Sequence, residues 1–105
     1  MNTELKQKWV DALRSGDYIQ DNGQLKSKTG YCCLGVLAEI AGLTIKNGGI
    51  CLLEDDREDY NKRNDIYPTL GEIIVVEGAC NTLYQMNDNR GKSFKEIADY
   101  IETNL

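Results

Sequence analysis

Histidine is absent from this sequence. Its absence removes the commonest general base, the usual nucleophile–histidine pairs and most zinc sites. Two candidate nucleophiles, Cys32 and Cys33, adjoin an apolar run, where burial raises a thiol's pKa and makes it unreactive. We therefore expect a binding protein with no catalytic residues, no cofactor and no metal, and not an enzyme.

Positive charge and long apolar runs are also scarce. Lysine and arginine number 12 against 17 acidic residues, so the formal net charge is −5. This field repels nucleic acid and anionic membranes, and we expect no general nucleic-acid binding. No window approaches the roughly 18 apolar residues of a membrane span, and the first residues do not resemble a secretion signal. We expect a cytoplasmic protein that does not associate with membranes.

The cysteines fit that compartment because they lack the spacing of a disulfide framework or a Cys-x-x-Cys site. We expect reduced thiols at Cys32, Cys33, Cys51 and Cys80. Proline occurs once, at Pro68, and no low-complexity segment or repeat interrupts the 105 residues. A chain of this length supports one core, so we predict a single globular domain over residues 1–105.

Three segments carry helix signals. Thr3 can cap a helix that ends near Ser15, with Gly16 as the stop. The apolar stretch 31–41 predicts a central helix that is covered on more than one face and ends at Gly42. Ser93 and Glu96 have capping-box spacing before an apolar stripe that reaches the carboxyl terminus.

Two hairpins are predicted between these helices. The dipeptide Asn22-Gly23 separates the short extended runs 18–20 and 24–26, which is a strong hairpin signal. A second hairpin is predicted for 43–46 and 50–53, around residues 47–49. The predicted fold class is therefore α+β, with amino-terminal, central and carboxy-terminal helices packed on short antiparallel hairpins.

Residues 66–86 leave two alternatives open. The run 72–77 is rich in β-branched residues and resembles a buried strand. Thr69 and Glu72 have capping-box spacing instead, which favours a helix. Before this segment, residues 54–65 are predicted to form an acidic loop, whose spacing does not match a calcium-binding loop and favours a solvated surface.

Candidate ligand-binding residues fall in two places. In 89–93, Arg90, Lys92 and Ser93 surround a glycine just before a helix, where backbone amides can bind a phosphate. The alternative, favoured from the sequence alone, is a turn followed by a helix cap. Elsewhere Tyr18 and Tyr31, near the polar side chain of Gln20, are candidates for an aromatic pocket wall.

Three ordered blocks resemble a family of small phage and prophage proteins of unassigned function. They are WVDALRSGDYIQ at 9–20, YCCLGVL at 31–37, and MND at 86–88 followed by GKSFKEIADYIE at 91–102. The resemblance covers about half the chain. It implies a viral origin and a host bacterial cytosol, and it carries no catalytic residues.

These observations lead to competing hypotheses of function. The first is a phage accessory protein that sequesters a small, phosphorylated, nucleotide-derived host immune signal without catalysis. The second is an inhibitor that contacts a host protein through the acidic loop 54–65. A hydrolase that uses carboxylates alone, such as Asp88 with a partner, is a third class that no spacing supports. A homo-oligomer would deepen the pocket of so small a domain, but no heptad pattern specifies one.

Overall fold

The structure is a computed structural model that describes residues 1–43, 45 and 66–105. Within these residues the chain forms five α-helices connected by irregular segments. In chain order they are α1 (Thr3–Ser15), α2 (Cys33–Ile40), α3 (Ile66–Ile74), α4 (Ala79–Asp88) and α5 (Phe94–Asn104). None of the described helices combines the length and apolar character that a bilayer crossing requires.

Helix α1 confirms the predicted amino-terminal helix, with one change at its start. The cap is Asn2, whose Oδ1 accepts a hydrogen bond from the amide of Leu5 at 3.0 Å. Gly16 ends the helix at φ 83°, a left-handed conformation that glycine adopts readily. The buried face of α1 packs against α5 and α2.

Helix α2 is the centre of the core. Residues 32–38 are all buried, which confirms that this helix is covered on more than one face. Trp9 of α1 donates its indole N–H to the carbonyl of Cys33 at 2.9 Å, so its one polar atom is satisfied inside the core. Burial raises the pKa of the Cys32 thiol to about 11 and that of Cys33 well above its usual value.

Helix α5 confirms the predicted carboxy-terminal helix and its capping box. Ser93 Oγ accepts the amide of Glu96 at 3.2 Å, and the Glu96 carboxylate accepts the amide of Ser93 at 3.1 Å. The predicted apolar stripe docks on the core, with Phe94, Ile97, Ala98 and Ile101 buried. The α1–α5 contact is the most extensive between helices.

Residues 66–86 resolve in favour of helix, and the strand alternative is wrong. Helix α3 already includes Thr69 and runs to Ile74, where Val75 takes φ 74°. This left-handed conformation ends the helix, and it is rare for a β-branched residue. Gly78, at φ 78°, then leads into α4.

The predicted α+β class is wrong, since the described residues contain helices and isolated bridges but no strand. The hairpin expected around Asn22-Gly23 does not form. Tyr31 pairs instead with the backbone of 19–21, donating to Ile19 O and accepting from the Asp21 amide at 2.8 Å each. The Gly23 amide donates a hydrogen bond to the carboxylate of Asp88 in α4. This contact holds the expected turn against α4, and the two runs beside it do not pair as strands.

Two further predictions fall outside the described residues. The hairpin predicted for 43–46 and 50–53 lies almost wholly there, and the acidic loop 54–65 lies there entirely.

Candidate functional site

Residues 16–32, here called the clasp loop, cross the surface between α1 and α2. The loop touches α2 at Gly35, where a Cβ atom would stand 1.8 Å from the carbonyl oxygen of Leu25. Leu25 is buried, and its carbonyl accepts the amide of Cys32 at 3.1 Å. The loop therefore lies directly on the helix because position 35 has no side chain.

Asn87 of α4 holds the clasp loop from the inside. Its side chain is 4% exposed and uses both polar atoms. Oδ1 accepts from Gln20 Nε2 at 3.0 Å and from the Cys33 amide at 3.3 Å, whereas Nδ2 donates to Asp21 O and to Asp88 Oδ1 at 2.8 Å each. One buried amide thus joins the loop, α2 and α4.

Gln20 connects the same loop to the start of α5. Its Oε1 accepts the amide of Phe94 at 3.1 Å, and its Nε2 also donates to Lys92 O at 2.7 Å. Both polar atoms of this predicted ligand-binding residue therefore have protein partners. Gln20 shapes the site by fixing the distance between the clasp loop and α5.

Asp21 stabilises the outer part of the loop. Its carboxylate accepts hydrogen bonds from Ser27 Oγ at 2.6 Å, from Thr29 Oγ1 at 2.7 Å and from the Asn22 amide at 2.8 Å. These donors favour the charged form, so the pKa of Asp21 is lowered, with the Ser27 bond as the largest cause.

An open cleft of about 460 Å³ lies where the clasp loop, α1 and α5 meet. Its volume is within the range of small-molecule sites, which is roughly 300–1,000 Å³. The lining combines apolar, aromatic and cationic side chains. The lining residues are Leu13, Arg14, Gly16, Tyr18, Gln20, Ser93, Phe94 and Lys95.

The aromatic wall of the cleft is held from behind. Tyr18 lines the cleft and meets Tyr31 edge to face, with ring centroids 5.2 Å apart and planes at 82°. Tyr31 in turn lies under the amine of Lys26, 5.5 Å from its ring centre. Tyr31 therefore supports the wall, whereas Tyr18 forms its surface.

The two cations of the cleft differ in their partners. Arg14 donates to Asp99 at 2.7 Å and to both carboxylate oxygens of Glu102 at 3.2 Å. These bonds raise the pKa of Arg14 and lower that of Glu102. Lys95 has no described carboxylate within 4.0 Å of its amine.

The predicted phosphate site at 89–93 is a capped helix start, which was the alternative interpretation. The Glu96 carboxylate occupies the start of α5, where hydrogen bonds from Ser93 lower its pKa. Lys92 pairs with Glu96 at 3.8 Å. Arg90 is exposed, and neither it nor Lys92 lines the cleft.

The structure therefore gathers half of the predicted ligand-binding residues on the cleft, namely Tyr18, Gln20 and Ser93. Sequence reasoning missed Arg14 and Lys95, which were not placed in any site. Asp99 and Glu102 lie three apart on one face of α5 and both contact Arg14, but their spacing alone does not indicate which cation meets them. In the described parts of the chain, no cluster of acidic or cysteine side chains could hold a metal ion.

These features define a small helical domain with an open, aromatic-lined cleft. Residues 1–61 match a family described as a domain of unknown function, DUF8296, and the chain belongs to that family. Searches of curated proteins and of solved structures returned no match. The matched region contains α1, the clasp loop and α2, whereas α5, which supplies the other wall of the cleft, lies beyond it.

Proposed function

We propose that this protein is a phage or prophage accessory protein that binds and sequesters a small nucleotide-derived immune signal in the host bacterial cytosol, without catalysis. The observation that carries the proposal is the cleft, in which Tyr18 and Lys95 lie on one open surface. The resemblance of residues 9–20, 31–37, 86–88 and 91–102 to small phage proteins supports this setting. Catalysis is not part of the proposal because the sequence contains no histidine.

The base and the phosphate of a nucleotide each have a counterpart in the lining. The ring of Tyr18 offers a stacking surface, and stacking a base on an aromatic side chain contributes about 1–3 kcal/mol. Lys95 offers a cation to a phosphate, and Ser93 lies beside it at the start of α5. The net charge of −5 disfavours long polyanions, so a small ligand fits this protein better than a nucleic acid.

Within this proposal the phosphate binds Lys95, and not Arg90 or Lys92 as the sequence suggested. Lys92 already faces Glu96, and Arg90 lies outside the cleft. In this proposal Tyr18 keeps the ligand-binding role that was predicted for it, whereas Gln20 and Tyr31 support the walls. The Ser93 hydroxyl lines the cleft but is bonded to Glu96.

The first experiment is native mass spectrometry of the protein purified from a bacterial host, with the same sample denatured. We expect a small-molecule adduct that disappears on denaturation, is recovered intact and raises the melting temperature when added back. Recovery of a cleaved product would identify an enzyme and end the sequestration proposal.

Two matched pairs of variants locate the ligand. Tyr18→Ala should weaken binding by about tenfold or more, the effect of losing one stacking contact. Tyr84→Ala, which removes an exposed aromatic ring from α4, is the control and should bind normally. Lys95→Gln should weaken binding, whereas Lys8→Gln on the exposed face of α1 should not. If the two variants of each pair bind the ligand with equal affinity, the ligand does not bind in the cleft.

The hypothesis of a host-protein inhibitor depends on the acidic loop 54–65, outside the described residues. Its test is retention of a host partner that salt weakens and that neutralisation of the loop abolishes. If the neutralised protein retains the partner as well as the wild type does, the loop is not the contact.

A further inference from the structure

The charged groups around the cleft are almost all paired within the protein. Arg14 lines the cleft, yet its guanidinium contacts Asp99 at 2.7 Å and Glu102 at 3.2 Å. One cation therefore faces two carboxylates. A ligand that recruited Arg14 would have to leave these acids unpaired and would meet their repulsion.

The start of α5 is equally occupied. The Phe94 amide donates to Gln20 and the Glu96 amide donates to Ser93. The Glu96 carboxylate lies at the same helix end and pairs with Lys92 at 3.8 Å. The position where a helix usually binds a phosphate thus holds a carboxylate of the chain itself.

Lys95 is the cation that remains on the cleft. Its amine has no described carboxylate within 4.0 Å, and Asp99, one turn further along α5, already accepts from Arg14. Arg14 is paired with Asp99 and Glu102, and Lys92 is paired with Glu96. Among the described lining residues, Lys95 is therefore the cation that is free to neutralise a ligand.

Building on the proposed function, we infer that the ligand carries one negative charge. The fitting class is a nucleotide whose phosphate is a diester, such as a cyclic mononucleotide, and not a phosphate monoester, diphosphate or triphosphate. A diester phosphate has one charge, which Lys95 neutralises, whereas each further charge would approach Asp99 and Glu102 without a cation to match it.

The test is a calorimetric comparison of ligands that share a base and differ in phosphate charge. The panel holds the 3′,5′-cyclic mononucleotide, the 5′-monophosphate, the diphosphate and the triphosphate of adenosine and of guanosine. We expect the cyclic form of at least one base to bind at least about tenfold more tightly than its monophosphate and the higher phosphates, a difference of about 1.4 kcal/mol. Lys95→Gln should remove most of that affinity, and Lys8→Gln should leave it unchanged.

A second variant tests whether the pairing of Arg14 sets the preference. Asp99→Asn with Glu102→Gln leaves the guanidinium without its acids, and both acids are exposed, so the fold should persist. In this double variant, the cyclic form should exceed the monophosphate in affinity by a smaller factor than in the wild type, or should bind more weakly than the monophosphate. An unchanged preference in the double variant would show that Arg14 does not set the ligand charge and would overturn the inference.

The outcomes separate this inference from the proposed function. If the triphosphate binds the wild type most tightly, the single-charge inference is wrong and nucleotide sequestration stands. If no member of the panel binds while the melting temperatures are normal, nucleotide binding itself is wrong, and the inference is lost with it.

Discussion

Around α2 the side chains of Trp9, Val36 and Leu37 are fully buried among apolar neighbours, whereas the clasp loop depends on hydrogen bonds from Gln20 and Asn87. The two regions differ in how they respond to change. Apolar packing is non-directional and is distributed over many contacts. The hydrogen bonds of the clasp loop are directional, and the loss of one partner leaves a buried polar group unpaired. Both regions therefore contribute to stability, whereas the clasp loop also shapes the cleft.

The largest loss in the free energy of unfolding is expected from a substitution at Gly35, where the clasp loop touches α2. Gly35→Ala would bring a Cβ atom to 1.8 Å from Leu25 O and 2.6 Å from Leu25 C, both backbone atoms. Either the loop or α2 must move, so we expect a loss of about 3 kcal/mol or more. Chemical denaturation measures this loss as a lower midpoint at an unchanged slope.

The matched control is Gly71→Ala in α3. A Cβ atom there meets nothing within 4 Å, so alanine should stabilise the helix by about 0.5–1 kcal/mol. If Gly35→Ala lowers the free energy of unfolding and Gly71→Ala raises it, the loss at position 35 comes from the contact with Leu25 and not from the removal of a glycine. If Gly35→Ala were also neutral, the loop would not lie on α2 as described.

The next largest loss of stability is expected at Asn87, the buried side chain of α4 that holds the clasp loop. Asn87→Ala leaves the Cys33 amide, the Asp21 carbonyl and the Gln20 side chain without this partner. We expect a loss of about 2–4 kcal/mol, because each stranded buried group costs about 1–3 kcal/mol. Asn81→Ala, on the exposed side of the same helix, should change the free energy of unfolding little. Similar losses for both variants would mean that burial of Asn87 is not what matters.

The same contrast explains which parts of the fold the sequence could predict. Helices α1, α2 and α5 were predictable because apolar periodicity and caps are local signals, and Ser93 with Glu96 forms the expected box. The hairpin at Asn22-Gly23 was wrong because the loop follows contacts with Asp88 and Tyr31, distant in sequence. Nothing in the sequence indicated that Asn87 is buried, since an asparagine in a helix usually faces water. For the cleft, Tyr18 and Ser93 were predictable as single residues, but the Arg14 contact with α5 needed the tertiary fold.

A smaller loss of stability is expected at the start of α5, which contacts both the core and the clasp loop. Ser93→Ala removes the cap on the Glu96 amide and should cost about 1 kcal/mol. Ser93→Asp should restore most of that loss, since aspartate is also a good cap. Thermal unfolding of the three proteins measures both changes, and an alanine variant as stable as the wild type would show that Gln20 alone suffices to cap α5.

The smallest loss of stability is expected at low pH. It should come from the carboxylates of the clasp loop and of α5, and not from the apolar core. Hydrogen bonds lower the pKa values of Asp21, Glu96 and Glu102 from ordinary values of 3.8, 4.5 and 4.5. The stability that they contribute is therefore fully present above these ordinary values and is lost as the pH falls through the lowered ones. Glu96 and Glu102 are exposed and Asp21 is half-buried, so solvent screening keeps the effect small. We expect a modest fall in melting temperature from pH 6 to pH 3, reduced in Asp21→Asn and in Glu102→Gln but not in Asp11→Asn, whose carboxylate accepts one hydrogen bond from the exposed side chain of Gln7. If Asp11→Asn reduced the fall as much, the acid dependence would reflect net charge and not these bonds.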